Sequence, residues 1–223
     1  MHSKSSHIDA VKVKITVFIF FIHHLVAFPI FAQTTWQLSK NRDQIQVYVR
    51  DYPGLAIKEL KTIATFNCDA QTLVQLISDI PEQAAYQFGC KQSYVLQKLN
   101  RFEQIYYQEL YVPWPFENRD GAFRQRIEPG KQAGDFFIYA NSEAQFIPNK
   151  KGYVRVPFMK AKWQIKQLNQ NLCQAEYIIA VDPGGAVPIW LINLFIDRAP
   201  VESVQGMRKS LLKDKYRKQL KVH

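Results

Sequence analysis

The chain has almost no histidine where chemistry would need it. Of five histidines, His2, His7, His23 and His24 precede residue 33, and His223 is the last residue. The intervening stretch therefore excludes Ser-His-Asp and Cys-His nucleophilic mechanisms in their usual form. It also lacks the commonest zinc ligand and the usual proton carrier at neutral pH. Cysteine is sparse: Cys68, Cys90 and Cys173. No pair has CxxC spacing, and an odd count leaves at least one thiol unpaired. A Cys68–Cys90 bridge is open in an oxidising compartment, while buried free thiols are the commoner arrangement. HExxH, P-loop, GxGxxG and GxSxG patterns are absent, as are repeats and low-complexity tracts. No catalytic group, metal or cofactor is expected.

Acidic residues are in deficit: 19 Asp and Glu against 29 Lys and Arg, a formal net charge of +10. The surplus gathers at the end, where Arg208, Lys209, Lys213, Lys215, Arg217, Lys218 and Lys221 face only Asp214. Such a run is either a solvated helix face or a surface for transient contact with an anionic membrane. At the other end, Lys4, Lys12 and Lys14 precede an apolar stretch from Ile15 to Phe31, then small Ala32 and polar Gln33-Thr34-Thr35. This order is that of a secretory signal. Residues 1–32 are expected to be a signal peptide, with an uncleaved anchor as the alternative. Residues 33–223 are expected to form one exported domain, periplasmic or secreted, and export argues against a nucleic-acid partner. At 47% hydrophobic and 22% charged, the composition is that of a globular domain.

Local pattern predicts strands first. Trp36–Leu38 and Ile45–Val49 flank a turn at Asn41-Arg42-Asp43, and Ile57–Phe66 is a third strand. Asp69 caps a helix with Leu73, Val74, Leu76 and Ile77 on its apolar face, stopped at Asp79-Ile80-Pro81. A short helix follows around 82–86. Strands are predicted at 94–99, 102–112, 123–128, 135–140, 153–168 and 172–181, with short connections that favour antiparallel neighbours. After Asp182-Pro183-Gly184-Gly185, Pro188 starts a helix through Trp190, Leu191, Leu194 and Phe195. Pro200 then opens a second, longer one. Val201, Val204, Met207, Leu211 and Leu212 mark its apolar side. Pattern alone gives an α+β domain in which a sheet grips a C-terminal helix.

Two segments carry a more specific likeness. Residues 182–193 read DPGGAVPIWLIN, and residues 113–120 read PWPFENRD. Weaker matches are Gly152-Tyr153-Val154-Arg155-Val156, Trp163, and Cys90 with Ser93-Tyr94-Val95-Leu96. Together they resemble the START (steroidogenic acute regulatory protein-related lipid transfer) domain from about Trp36 to Leu212. A tryptophan typical of that family before Cys90 is replaced here by Tyr86 or Phe88. The resemblance implies a helix-grip fold: a strongly curved antiparallel sheet around an apolar cavity, closed by a long C-terminal helix. It also implies binding, and transfer, of a lipid or other apolar molecule.

Candidate ligand contacts are Tyr106, Trp114, Arg119, Arg155, Trp163, Tyr177, Trp190, Leu194 and Met207. Arg119 and Asp120 either orient a polar head group or pair structurally. Arg155 anchors a carboxylate or phosphate if it faces inward, and strand alternation equally allows it to face outward. The rival reading is an enzyme related to polyketide cyclases and hydratases, with Tyr106, Glu109, Arg155 and Glu176 recruited. A third is an interaction protein with a large exposed apolar patch.

Overall fold

A computed structural model describes residues 35–53 and 57–217. The expected targeting segment, 1–32, and the terminal Lys218 and Lys221 lie outside the described residues.

Strands β1 (Gln37–Arg42) and β2 (Ile45–Asp51) form the opening hairpin. Its turn falls on Asp43 and Gln44, at φ 54° and 59°. Two successive left-handed residues are what a two-residue turn between twisted strands requires. The turn therefore lies slightly later than the expected Asn41–Asp43. After β3 (Lys58–Phe66), Asp69 caps α1 (Ala70–Ser78), its carboxylate accepting from the Thr72 amide at 2.7 Å. Leu73, Leu76 and Ile77 of α1 are buried with Ile45, Phe66 and Ile165. A 3₁₀ turn at Ile80–Glu82 leads into the four-residue α2 (Gln83–Tyr86).

The remaining strands are β4 (Cys90–Asn100), β5 (Glu103–Leu110), β6 (Asn118–Pro129), β7 (Phe136–Ser142), β8 (Tyr153–Arg155), β9 (Phe158–Asn169) and β10 (Leu172–Asp182). They make one sheet in the order β1-β2-β3-β10-β9-β7-β6-β5-β4. Every pairing on this path is antiparallel. The single strand expected over 153–168 is split, because Pro157 has no amide proton to offer a ladder. Its first part, β8, pairs parallel with β6 and stands off the main path.

The C-terminal segment is also corrected. Instead of two helices divided at Pro200, one helix, α3, runs from Ile189 to Ser210 with Pro200 inside it. Val201, Val204 and Met207 are buried, but Leu212 lies beyond the helix and is exposed. The four-residue α4 (Asp214–Arg217) follows.

Several contacts seat α3 and the residues that follow it. Its Gly206 lies so close to α2 that a Cβ there would stand 2.7 Å from the Tyr86 carbonyl oxygen. Ser203 accepts from the Phe88 amide at 3.0 Å. Arg208 donates to the carbonyls of Asp43 and Thr65 at the β1–β2 turn and the end of β3. Ser210, Lys213 and Lys215 converge on buried Glu82.

Candidate functional site

Between the sheet and α3 lies a hollow of about 220 Å³. Strand alternation builds its wall, every second side chain facing inward. From β5 come Tyr106, Gln108 and Leu110, and from β9 come Met159, Ala161 and Trp163. β10 adds Ala175, Tyr177, Ile179 and Val181, while β3 adds Thr62 and Ala64. α3 closes the space with Phe195, Ala199, Pro200, Ser203, Val204 and Met207.

The hollow has a visible cause. Ala64 is paired with Ala175 across β3 and β10, and Ala140 with Ala161 across β7 and β9. At these positions the inward side chain is a single methyl, too short to fill the space under the helix. The long side chains pack on one another instead: the rings of Trp163 and Tyr177 stack at 4.1 Å, and Phe88 meets Phe195 edge-on at 5.6 Å.

One part of the wall is polar. Gln108 donates to the side-chain oxygens of Gln83 and Gln87, both at 2.9 Å, and Gln87 donates back at 3.2 Å. Burial pushes the hydroxyls of Tyr86, Tyr106 and Tyr177 well above the ordinary phenol range. They stay protonated at neutral pH and cannot serve as bases there. Among the described residues, no Asp, Glu, Lys, Arg or His lines the hollow.

Of the expected contacts, Tyr106, Trp163, Tyr177 and Met207 stand on this wall. Five others do not. Arg119 is buried but donates to the carbonyls of Glu117, Pro183 and Gly184, fastening β6 to the turn before α3. That turn needs Gly184: its φ is +69°, and a Cβ there would stand 2.9 Å from the Arg155 carbonyl oxygen. Arg155 forks onto Asp120 at 2.8 and 3.1 Å and donates to the carbonyls of Ala144, Ile147 and Pro148. It ties down the segment before β8 and points away from the hollow. Trp114 is 88% exposed and Trp190 54%. Leu194 is half-buried and off the wall.

The groups expected to serve an enzyme do not converge either. Tyr106 faces the hollow, but Glu109, Arg155 and Glu176 are off its wall. Glu109 shares the opposite face of β5 with Tyr107. Burial works to raise its pKa, but hydrogen bonds from Lys150, Tyr107, Gln92 and Tyr153 outweigh it and hold the carboxyl below its usual value. All three cysteines are free. The thiol nearest Cys68 is that of Cys173, at 4.0 Å, and no Cys68–Cys90 bridge is formed.

Sequence reasoning missed Gln83, Gln87 and Gln108. The signal was available: Gln108 has the parity of Tyr106 and Leu110 on β5, and Gln83 and Gln87 are four apart.

The basic terminus is more occupied than its composition suggests. Arg208, Lys213 and Lys215 are bonded within the fold, and Lys215 also pairs with Asp79 at 2.7 Å. Exposed aromatic rings lie away from it: Tyr111, Trp114 and Trp190 are all more than half exposed. The Trp190 ring stands 6.1 Å from that of Phe116, joining the β5–β6 loop to the start of α3.

Comparison with known proteins agrees with this architecture. An uncharacterized protein of Pseudomonas aeruginosa is 26% identical over 175 residues, 78% of this chain and 86% of that protein. Bovine phosphatidylcholine transfer protein is 26% identical over 171 residues, 74% of this chain and 78% of its own length. The crystal structure of a STAR-related lipid transfer protein fragment from Xanthomonas axonopodis superposes with a TM-score of 0.73 at 26% identity. That match covers 80% of this chain and 99% of the fragment. The START domain family model matches residues 31–216, which span the sheet, the hollow and α3: the chain belongs to the START domain family.

Proposed function

We propose that this protein binds a lipid or other apolar small molecule in the hollow under α3 and exchanges it with membranes. The observation that carries this reading is an apolar hollow walled by methyl groups and aromatic rings. Each CH₂ moved from water into such a space gains about 0.8 kcal/mol. A ten-carbon chain thus supplies about 8 kcal/mol, which corresponds to a dissociation constant of about 1 μM before ordering costs. No covalent step is needed. Tyr106, Trp163, Tyr177 and Met207 are the proposed ligand contacts. The names of the bovine and Xanthomonas relatives, both lipid transfer proteins, support the same reading.

A cyclase or hydratase would need an acid and a base aimed at one substrate. The scattering of Glu109, Arg155 and Glu176 favours binding over catalysis. The N-terminal pattern of charge, apolar run and small residue supports a place outside the cytoplasm for this function.

For the membrane-facing element we propose the aromatic group of Tyr111, Trp114 and Trp190, in place of the C-terminal basic run. Tryptophan and tyrosine suit a bilayer interface because a broad apolar ring carries one polar tip. Transfer of a fluorescent lipid between two vesicle populations tests the function. The chain should accelerate it in proportion to its concentration. Transfer no faster than in buffer, with no lipid retained by the protein, would refute it.

A further inference from the structure

We infer that the hollow selects an uncharged ligand: an apolar body bearing one neutral hydrogen-bonding group, a hydroxyl or a carbonyl, read by Gln83, Gln87 and Gln108. This rests on the lipid-binding reading and narrows it.

The wall supplies three observations. First, it has no cation and no carboxylate among the described residues. A charged group carried inside would lose its water and find no partner, which costs several kcal/mol even after relaxation. Second, among the described residues the titratable side chains facing the space are all phenols, and burial keeps those of Tyr86, Tyr106 and Tyr177 protonated. They cannot supply a compensating charge. Third, the polar patch consists of amides. Each glutamine amide has two N–H donors and an oxygen with two lone pairs. The bonds joining Gln108 to Gln83 and Gln87 use only part of that capacity. An amide cluster can turn a donor to a carbonyl or an acceptor to a hydroxyl. Gln125 is not part of this reader: it donates to the Ile77 carbonyl and accepts from Gln104.

A zwitterionic head group is the obvious competitor, because aromatic faces such as the Trp163–Tyr177 stack attract quaternary ammonium ions. The attached phosphate would still enter a wall without a cation. Size points the same way. At about 220 Å³, the hollow is below the range of about 300–1,000 Å³ usual for drug-sized ligands. A single-chain or compact polycyclic body suits it better than a two-chain phospholipid.

The test is calorimetric titration of the purified chain with dodecanol, dodecanoate and dodecylphosphocholine, which share one alkyl chain. At about pH 7.5 dodecanol should bind about 100-fold tighter than either charged ligand. Dodecanoate should gain about tenfold in affinity per unit as the pH is lowered to about 5.5, because only its protonated form is accepted. Dodecanol should show no such dependence. Gln108→Leu should weaken dodecanol by about three- to tenfold, the loss of one hydrogen bond. Dodecanoate or dodecylphosphocholine binding as tightly as dodecanol at about pH 7.5 would overturn the selection for neutrality and leave lipid binding standing. If none of the three bound, the lipid-binding reading itself would fall.

Discussion

Replacing Gly206 by alanine sets two effects of opposite sign against each other. In an exposed helix interior, glycine to alanine stabilises by about 1 kcal/mol, since alanine loses less backbone entropy. Here the added methyl would stand 2.7 Å from the Tyr86 carbonyl oxygen and 2.8 Å from its Cα. These are backbone atoms of α2, so no side chain can swing aside. Ordinary contact begins at about 3.4 Å, so α3 and α2 must part by about 0.7 Å. Overpacking of this kind costs about 1–3 kcal/mol. It also strains the neighbouring Ser203–Phe88 bond and the seating of Gln83 and Gln87. Overpacking less the alanine gain leaves Gly206→Ala destabilised by about 0–2 kcal/mol, read from the shift in urea midpoint at unchanged slope. A variant stabilised by about 1 kcal/mol, as at an exposed helix position, would refute the close approach of α3 to α2.

Two further predictions concern the edges of the site. Burial works to raise the pKa of Glu82, but hydrogen bonds from Lys213, Lys215 and Ser210 outweigh it and hold the group at about 2, against 4.5 for a free glutamate. A lowered carboxyl contributes stability that is complete above about pH 4.5 and is lost as the pH falls toward about 2. Allowing for screening at the half-exposed lysines, the contribution is about 1–2 kcal/mol. Glu82→Gln should lower stability by that amount at neutral pH and flatten the acid limb; an unchanged acid profile would count against the clamp. Trp114→Ala should reduce vesicle binding and transfer by about five- to tenfold with the unfolding midpoint unchanged. Equal transfer would remove the aromatic group as the docking element.

Much of the architecture was legible because its breaks are chemical. Asp69 announces α1 through a cap, and the prolines and asparagines between strands mark turns whatever the tertiary context. The DPGG segment was legible for a similar reason, since Gly184 answers both to backbone φ and to the approach of β8. Side-chain direction was less so. Arg155 could be assigned no face, because β8 is three residues long and pairs parallel with β6, an arrangement periodicity does not encode. Trp114 and Trp190 were read as wall residues because large rings are usually buried; the loop between β5 and β6 instead holds Trp114 in solvent. Pro200 reads as a helix start in sequence, yet α3 passes through it. The amides were overlooked because glutamine on a strand usually faces water, and only the closure of α3 makes the inner face of β5 an interior.

Native mass spectrometry of the chain purified without detergent reads whether the hollow under α3 is a binding cavity. The comparison is with Ala161→Phe, which fills the space opposite Ala140 and Ile179. The parent should carry an uncharged species near one to one, and the variant should be empty but folded. A parent that emerges empty and takes up no lipid, or a filled variant that carries the same load, would contradict binding in the hollow.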